Sequence, residues 1–122
     1  MNKKIATISK EVIDTLKMDI EENIPILIGD ANIEHMKINH LEDYNKYGNK
    51  ISDIINNPTY LARNEGKNSI EYIKRYVLYN EMVLVVVRTS GKGKYFVRTM
   101  YVMAKEKIEK YEKYGYFIEI KK

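Results

Sequence analysis

Six consecutive apolar residues, Met82-Val83-Leu84-Val85-Val86-Val87, run into Arg88 and are followed closely by Ser90-Gly91-Lys92-Gly93. So long a run, rich in β-branched side chains, predicts a central strand over 82–88. The two glycines beyond it predict the loop of a hairpin that returns through residues 94–103. The rest of the chain has to be arranged around this hairpin.

Upstream, residues 4–8 predict a short strand, Ser9 a helix N-cap, and Val12, Ile13 and Leu16 the apolar side of a short helix. The run Ile24-Pro25-Ile26-Leu27-Ile28 ends at Gly29-Asp30, which reads as a strand delivering the chain to a helix capped by Asp30. Ile33, Met36, His40, Tyr44, Tyr47, Ile51 and Ile54 then recur at spacings of three and four. They describe one buried stripe through a helix, a break near Gly48 and a second helix, stopped by Asn57-Pro58. Residues 59–63 predict a short strand, 64–68 a turn, and 69–77 a further strand. After the hairpin, a Lys/Glu-rich helix over 104–114 is closed by Gly115, and 116–120 predict a last edge strand. There is no repeat or linker, so residues 1–122 form one α+β domain.

Composition narrows the chemistry. At 122 residues, 44% hydrophobic and 31% charged, the chain builds one ordinary core. It has no cysteine, which excludes disulfides, thiolate zinc and a cysteine nucleophile, and fits a reducing, cytoplasmic compartment. Residues 1–10 are polar, so neither a signal peptide nor a membrane span is expected. Net charge is only +4, but Lys92, Lys94 and Arg98 face few acids between Ser90 and Ala104. That patch could meet phosphate, but from charge alone a solvated lysine-rich surface is the commoner reading. Eleven tyrosines stand against two phenylalanines and no tryptophan. Tyrosine stacks on unpaired bases, and it also fills half-buried sheet faces.

The two histidines, His35 and His40, carry the side chain best suited to proton transfer near neutral pH. Five residues of ideal helix turn about 500°, so the rings point roughly 140° apart and share no ligand unless the helix breaks between them. No two-histidine metal site is expected. His40 lies on the apolar stripe, where core and catalytic roles are equally compatible; His35 lies off it, where a surface role is the simpler reading. Regular alternation puts Thr99 and Tyr101 on one face with Val97, and Arg98 and Met100 on the other, so these residues do not all reach one pocket. If the helix bearing His40 packs over Thr99 and Tyr101, a base would meet two hydroxyl donors, as phosphodiester transfer requires. Lys74 and Arg88 are the nearest cations for the developing charge. No glycine-rich phosphate loop follows a strand, and the adjacent acids Glu21-Glu22 and Glu42-Asp43 splay apart on a helix.

The segments 33–40 (IEHMKINH), Asp43-Tyr44, Tyr47-Gly48 and 54–60 (IINNPTY) resemble the helical half of the phage barnase–EndoU–colicin–RelE-like nuclease family. Ser69-Ile70-Glu71-Tyr72-Ile73-Lys74, Leu84-Val85-Val86-Val87-Arg88 and Val97-Arg98-Thr99-Met100-Tyr101 resemble its sheet half, so the resemblance is strongest over 30–107. The chain departs from the pattern at Asn32, where another histidine would fit, and at Leu41, where proline is more typical.

The resemblance implies N-terminal helices packed on a four- to five-stranded antiparallel sheet, an association with phages and mobile elements, and a metal-independent RNase needing no cofactor. Carried over, His35 and His40 are the proton-transfer groups and Thr99 the strand hydroxyl. The function expected is RNA cleavage by 2′-hydroxyl attack to a cyclic phosphate, a chemistry that suits a toxin. His40, His35, Thr99 and Tyr101 would be catalytic, and Lys74, Arg88, Arg98, Lys92 and Lys94 would hold phosphate. The alternatives are an inactive module binding RNA or a protein such as an antitoxin, and a structural phage protein.

Overall fold

The apolar run at 82–87 lies inside a six-stranded mixed sheet of order β1-β2-β6-β5-β4-β3. The strands are β1 (Asn2–Ile8), β2 (Ile24–Gly29), β3 (Tyr60–Asn64), β4 (Ser69–Tyr76), β5 (Glu81–Thr89) and β6 (Tyr95–Val102). The helices are α1 (Lys10–Leu16), α2 (Asp30–Asn39), α3 (Leu41–Tyr47), α4 (Ile51–Asn56) and α5 (Lys105–Lys113). The structure is a computed structural model and describes residues 1–64, 69–90 and 93–120. The predicted turn at 64–68 and the hairpin loop residues Gly91 and Lys92 lie largely or wholly outside the described residues.

Strand β5 is apolar throughout because both of its faces are covered. Val83, Val85 and Val87 pack with Ile70, Tyr72, Val97 and Met100 beneath α1 to α4, which contribute Val12, Leu16, Met36, Tyr47, Ile51 and Ile54. Leu84 and Val86 pack on the other face with Ile73, Ala62 and Met103, beneath Tyr111 of α5. Helices therefore cover both sides of the sheet, α1 to α4 on one face and the C-terminal helix α5, expected at 104–114, on the other.

The expected four or five antiparallel strands become six because β1 and β2 form an extra antiparallel pair at one edge. This pair joins β6 in parallel through only two register positions, Ile26 with Tyr95 and Leu27 with Phe96. Beyond Phe96 the edge of β6 is free of β2, and α2 and α3 pack against it. The Asp43 carboxylate accepts the Val102 N–H there at 3.0 Å, occupying a backbone donor that no neighbouring strand takes.

Several boundaries differ from the sequence expectation. Gly29, not Asp30, is the N-cap of α2, and its N–H donates to Asn32 Oδ1 at 3.0 Å. The helical stripe breaks at His40 (φ −142°, ψ 51°) as well as at the 3-10 turn Gly48–Lys50. Residues 116–120 form no strand: only Ile118 pairs, through two hydrogen bonds with Leu61. No described helix is long and apolar enough to cross a membrane.

Candidate active site on the outer face of the sheet

A β-bulge in β6 determines which side chains meet. Val86 pairs with Thr99 but Val87 pairs with Val97, so Arg98 is the extra residue. The alternation predicted from sequence fails here, because two residues of β6 oppose one step of β5. Val97 joins Met100 on the face under α1 to α4, and Thr99 and Tyr101 turn toward α5. Arg98, Thr99 and Tyr101 consequently line one pocket of about 280 Å³.

Three strands supply the floor of this pocket. Glu71 pairs with Val86, which pairs with Thr99, and Ser69 pairs with Arg88, so these side chains sit abreast across β4, β5 and β6. Ser69 Oγ accepts the Arg88 Nε–H at 3.0 Å, which fixes the plane of the guanidinium. From α5, Lys107 donates to the Tyr101 hydroxyl and sits 4.8 Å from the centroid of its ring. One turn further on, Tyr111 donates its hydroxyl to Glu71 Oε1 at 2.6 Å. Burial and the Glu71 carboxylate push the Tyr111 phenol well above its usual range, so it remains a protonated donor. Thr99 Oγ1 is buried without a hydrogen-bond partner among the described residues.

His35 of α2 closes the pocket from the free edge of β6. Asn39 Nδ2 donates to the His35 carbonyl at 3.0 Å and lies 3.2 Å from its Nδ1, holding the ring at the end of the helix. His40 does not line the pocket. It stands in the break between α2 and α3 and stacks on Tyr101, with centroids 5.4 Å apart and planes at 28°. The condition that its helix packs over the face bearing Thr99 and Tyr101 is not met: α2 and α3 pack on the opposite face and against β6, and reach those residues from its edge.

Of the expected site residues, the structure thus brings together His35, Arg88, Arg98, Thr99 and Tyr101, with His40 behind Tyr101. Lys74 stands apart, because strand alternation places it with Ile70 and Tyr72 on the opposite face, where it pairs with Asp53 of α4 at 2.8 Å. Lys94 is exposed near the base of the hairpin and does not line the pocket, and Lys92 lies outside the described residues. Sequence reasoning missed Ser69, Glu71, Lys107 and Tyr111. A signal for Glu71 existed in a lone acid at the centre of Ser69-Ile70-Glu71-Tyr72-Ile73, and for Lys107 and Tyr111 in their four-residue spacing on one helix face; Ser69 carried none.

The pocket therefore sets one imidazole and one carboxylate among Arg88, Arg98 and Lys107. Among the described residues, no three His, Cys, Asp or Glu side chains are grouped so as to hold a metal ion. A family model described as phage-Barnase-EndoU-ColicinE5/D-RelE like nuclease 3 matches residues 3–110. No curated protein and no solved structure matches the chain.

Proposed function

Because the chain belongs to the phage Barnase-EndoU-ColicinE5/D-RelE like nuclease 3 family, whose substrates are nucleic acids, we propose that the pocket beside Arg98 cleaves RNA without a metal ion. The second oxygen of Glu71, the one not bonded to Tyr111, takes the proton of a ribose 2′-hydroxyl. The 2′-oxygen attacks the adjacent phosphorus, the bond to the 5′-oxygen breaks, and protonated His35 supplies the proton for that leaving oxygen. The products are a 2′,3′-cyclic phosphate and a 5′-hydroxyl. Arg88, Arg98 and Lys107 neutralise the charge that accumulates on the phosphoryl oxygens, and the Thr99 hydroxyl finds its acceptor there.

The observation that carries this reading is the gathering, from five separate elements, of an imidazole, a carboxylate and three cations in one small pocket. Protein cations supply the charge that a metal would otherwise provide. RNA oligonucleotides should be cut in EDTA, with a cyclic phosphate at the new end, while DNA of the same sequence stays intact. Glu71→Gln and His35→Ala should each lower kcat/KM by about 100-fold or more, the usual contribution of a positioned acid or base. A strict need for divalent ions, or equal cutting of DNA, would refute the scheme. In a cytoplasm the same activity makes the protein a toxin, so induced expression should arrest bacterial growth and the Glu71→Gln variant should not.

A further inference from the structure

A second and larger groove, of about 1010 Å³, opens on the far side of Lys107 and Glu71, which line both it and the cleavage pocket. It runs past Tyr111 to Lys17, Arg63, Lys110 and Tyr116. Its charge is predominantly positive: Lys17, Arg63, Lys107 and Lys110 stand against Glu71 and Glu106, and Glu71 is already engaged by Tyr111. Among the described residues, none of these four cations is ion-paired. Arg63 is anchored instead to the carbonyl of Leu16, at 3.1 Å, beside the left-handed Lys17 that ends α1.

The aromatic wall of this groove is built to stay in place. Gly115, at φ +68°, turns the chain after α5, a conformation that side-chain-bearing residues adopt at a cost. Tyr116 N–H then bonds back to the Tyr111 carbonyl at 2.9 Å, and Ile118 is tied to Leu61 of β3. Tyr116 is left 46% exposed, yet its ring is fixed edge-on to Tyr111 at 5.4 Å and stacked on Tyr114 at 5.7 Å. These residues lie beyond the span that matches the nuclease family.

We propose that this groove is a binding subsite for single-stranded RNA running out of the cleavage pocket, with phosphates on Lys17 and Lys110 and an unpaired base on Tyr116. The inference rests on the cleavage reading for its direction along the strand. Continuity through Lys107, a surplus of cations and a fixed, half-exposed aromatic ring are what a sequence-tolerant single-strand site requires.

The test is fluorescence anisotropy with fluorescein-labelled 2′-O-methyl RNA, which is not cleaved by 2′-hydroxyl attack, as a dinucleotide and as a mixed-sequence octanucleotide. The octanucleotide should bind at least about tenfold more tightly. Tyr116→Ala and Lys17→Ala should each erase about fivefold or more of that gain, and Lys17→Ala should also reduce the salt slope by about 0.7. Thermal unfolding of both variants serves as the control for folding. An octanucleotide that binds no better than the dinucleotide, or a gain insensitive to both substitutions, overturns the subsite and leaves the groove to a protein partner. Absence of cleavage of unmodified RNA, with the octanucleotide gain intact, would sink the cleavage scheme and not the subsite.

Discussion

The contact between Tyr111 and Glu71 shows how much of the proposed chemistry depends on single hydroxyl groups. A carboxylate with one oxygen held at 2.6 Å by a phenol has its other oxygen aimed, and losing the phenol sets it free to rotate. Tyr111→Phe should therefore lower kcat about tenfold with little change in KM, and reduce stability by about 1 kcal/mol, the net worth of one hydrogen bond. Steady-state kinetics and chemical denaturation measure the two effects separately. His40 makes a second contrast: it supports Tyr101 by ring stacking and does not line the pocket. His40→Ala should cost about 1 kcal/mol in stability and much less activity than His35→Ala, and the reverse order of activities would make His40 the proton carrier. His35, Thr99, Tyr101 and the two arginines were legible as residue types able to handle a phosphodiester. Glu71 was legible only as a lone acid in an apolar strand, and such an acid has no evident role until a helix is known to deliver a phenol to it.

At the scale of elements, the bulge in β6 separates what strand periodicity reveals from what it hides. A period of two assigns Arg98 and Thr99 to opposite faces, yet one unpaired residue brings both into the same pocket. Deleting Arg98 would place Val97 directly before Thr99 and restore a regular ladder with both faces correctly filled. The deletion variant should thus fold with a cooperative transition while losing activity, whereas Arg98→Ala keeps the bulge and should lose only one cation, about 10- to 100-fold in kcat/KM. A deletion variant as active as the parent would show that neither the bulge nor the guanidinium serves the site. The hairpin of β5 and β6 was readable because local pattern and loop glycines agree. The parallel join of β2 to β6 was not, since two register positions between distant segments leave no periodic trace. Nor was the fate of residues 116–120, where alternating apolar residues make one bridge to Leu61 and otherwise form the wall of a groove.

At the scale of the whole molecule, two ion pairs among the described residues fasten the helical layer to the sheet, Lys74 of β4 to Asp53 of α4 and Lys46 of α3 to Glu81 of β5. Hydrogen bonding from Lys74 holds Asp53 below its ordinary value of 3.8, and hydrogen bonding first from Lys46 and then from Tyr47 holds Glu81 below 4.5. A carboxyl depressed by folding stabilises the protein fully above its unfolded value and loses that contribution as pH falls through the folded one. The melting temperature should accordingly hold from neutrality to about pH 5 and decline below it, and Asp53→Asn with Glu81→Gln should flatten the decline. Both pairs are partly exposed, so the effect is modest and weakens with salt. The alkaline limb has the opposite cause. Burial, and then the charge on Asp53, push Tyr76 from 10.0 up to about 12, so its contribution is complete below 10 and is lost as pH rises through about 12. Tyr76→Phe cannot ionise and should retain its melting temperature above pH 10 better than the parent does. Equal alkaline destabilisation of the two proteins, measured by thermal unfolding from pH 9 to 12, would place that limb in another of the buried phenols.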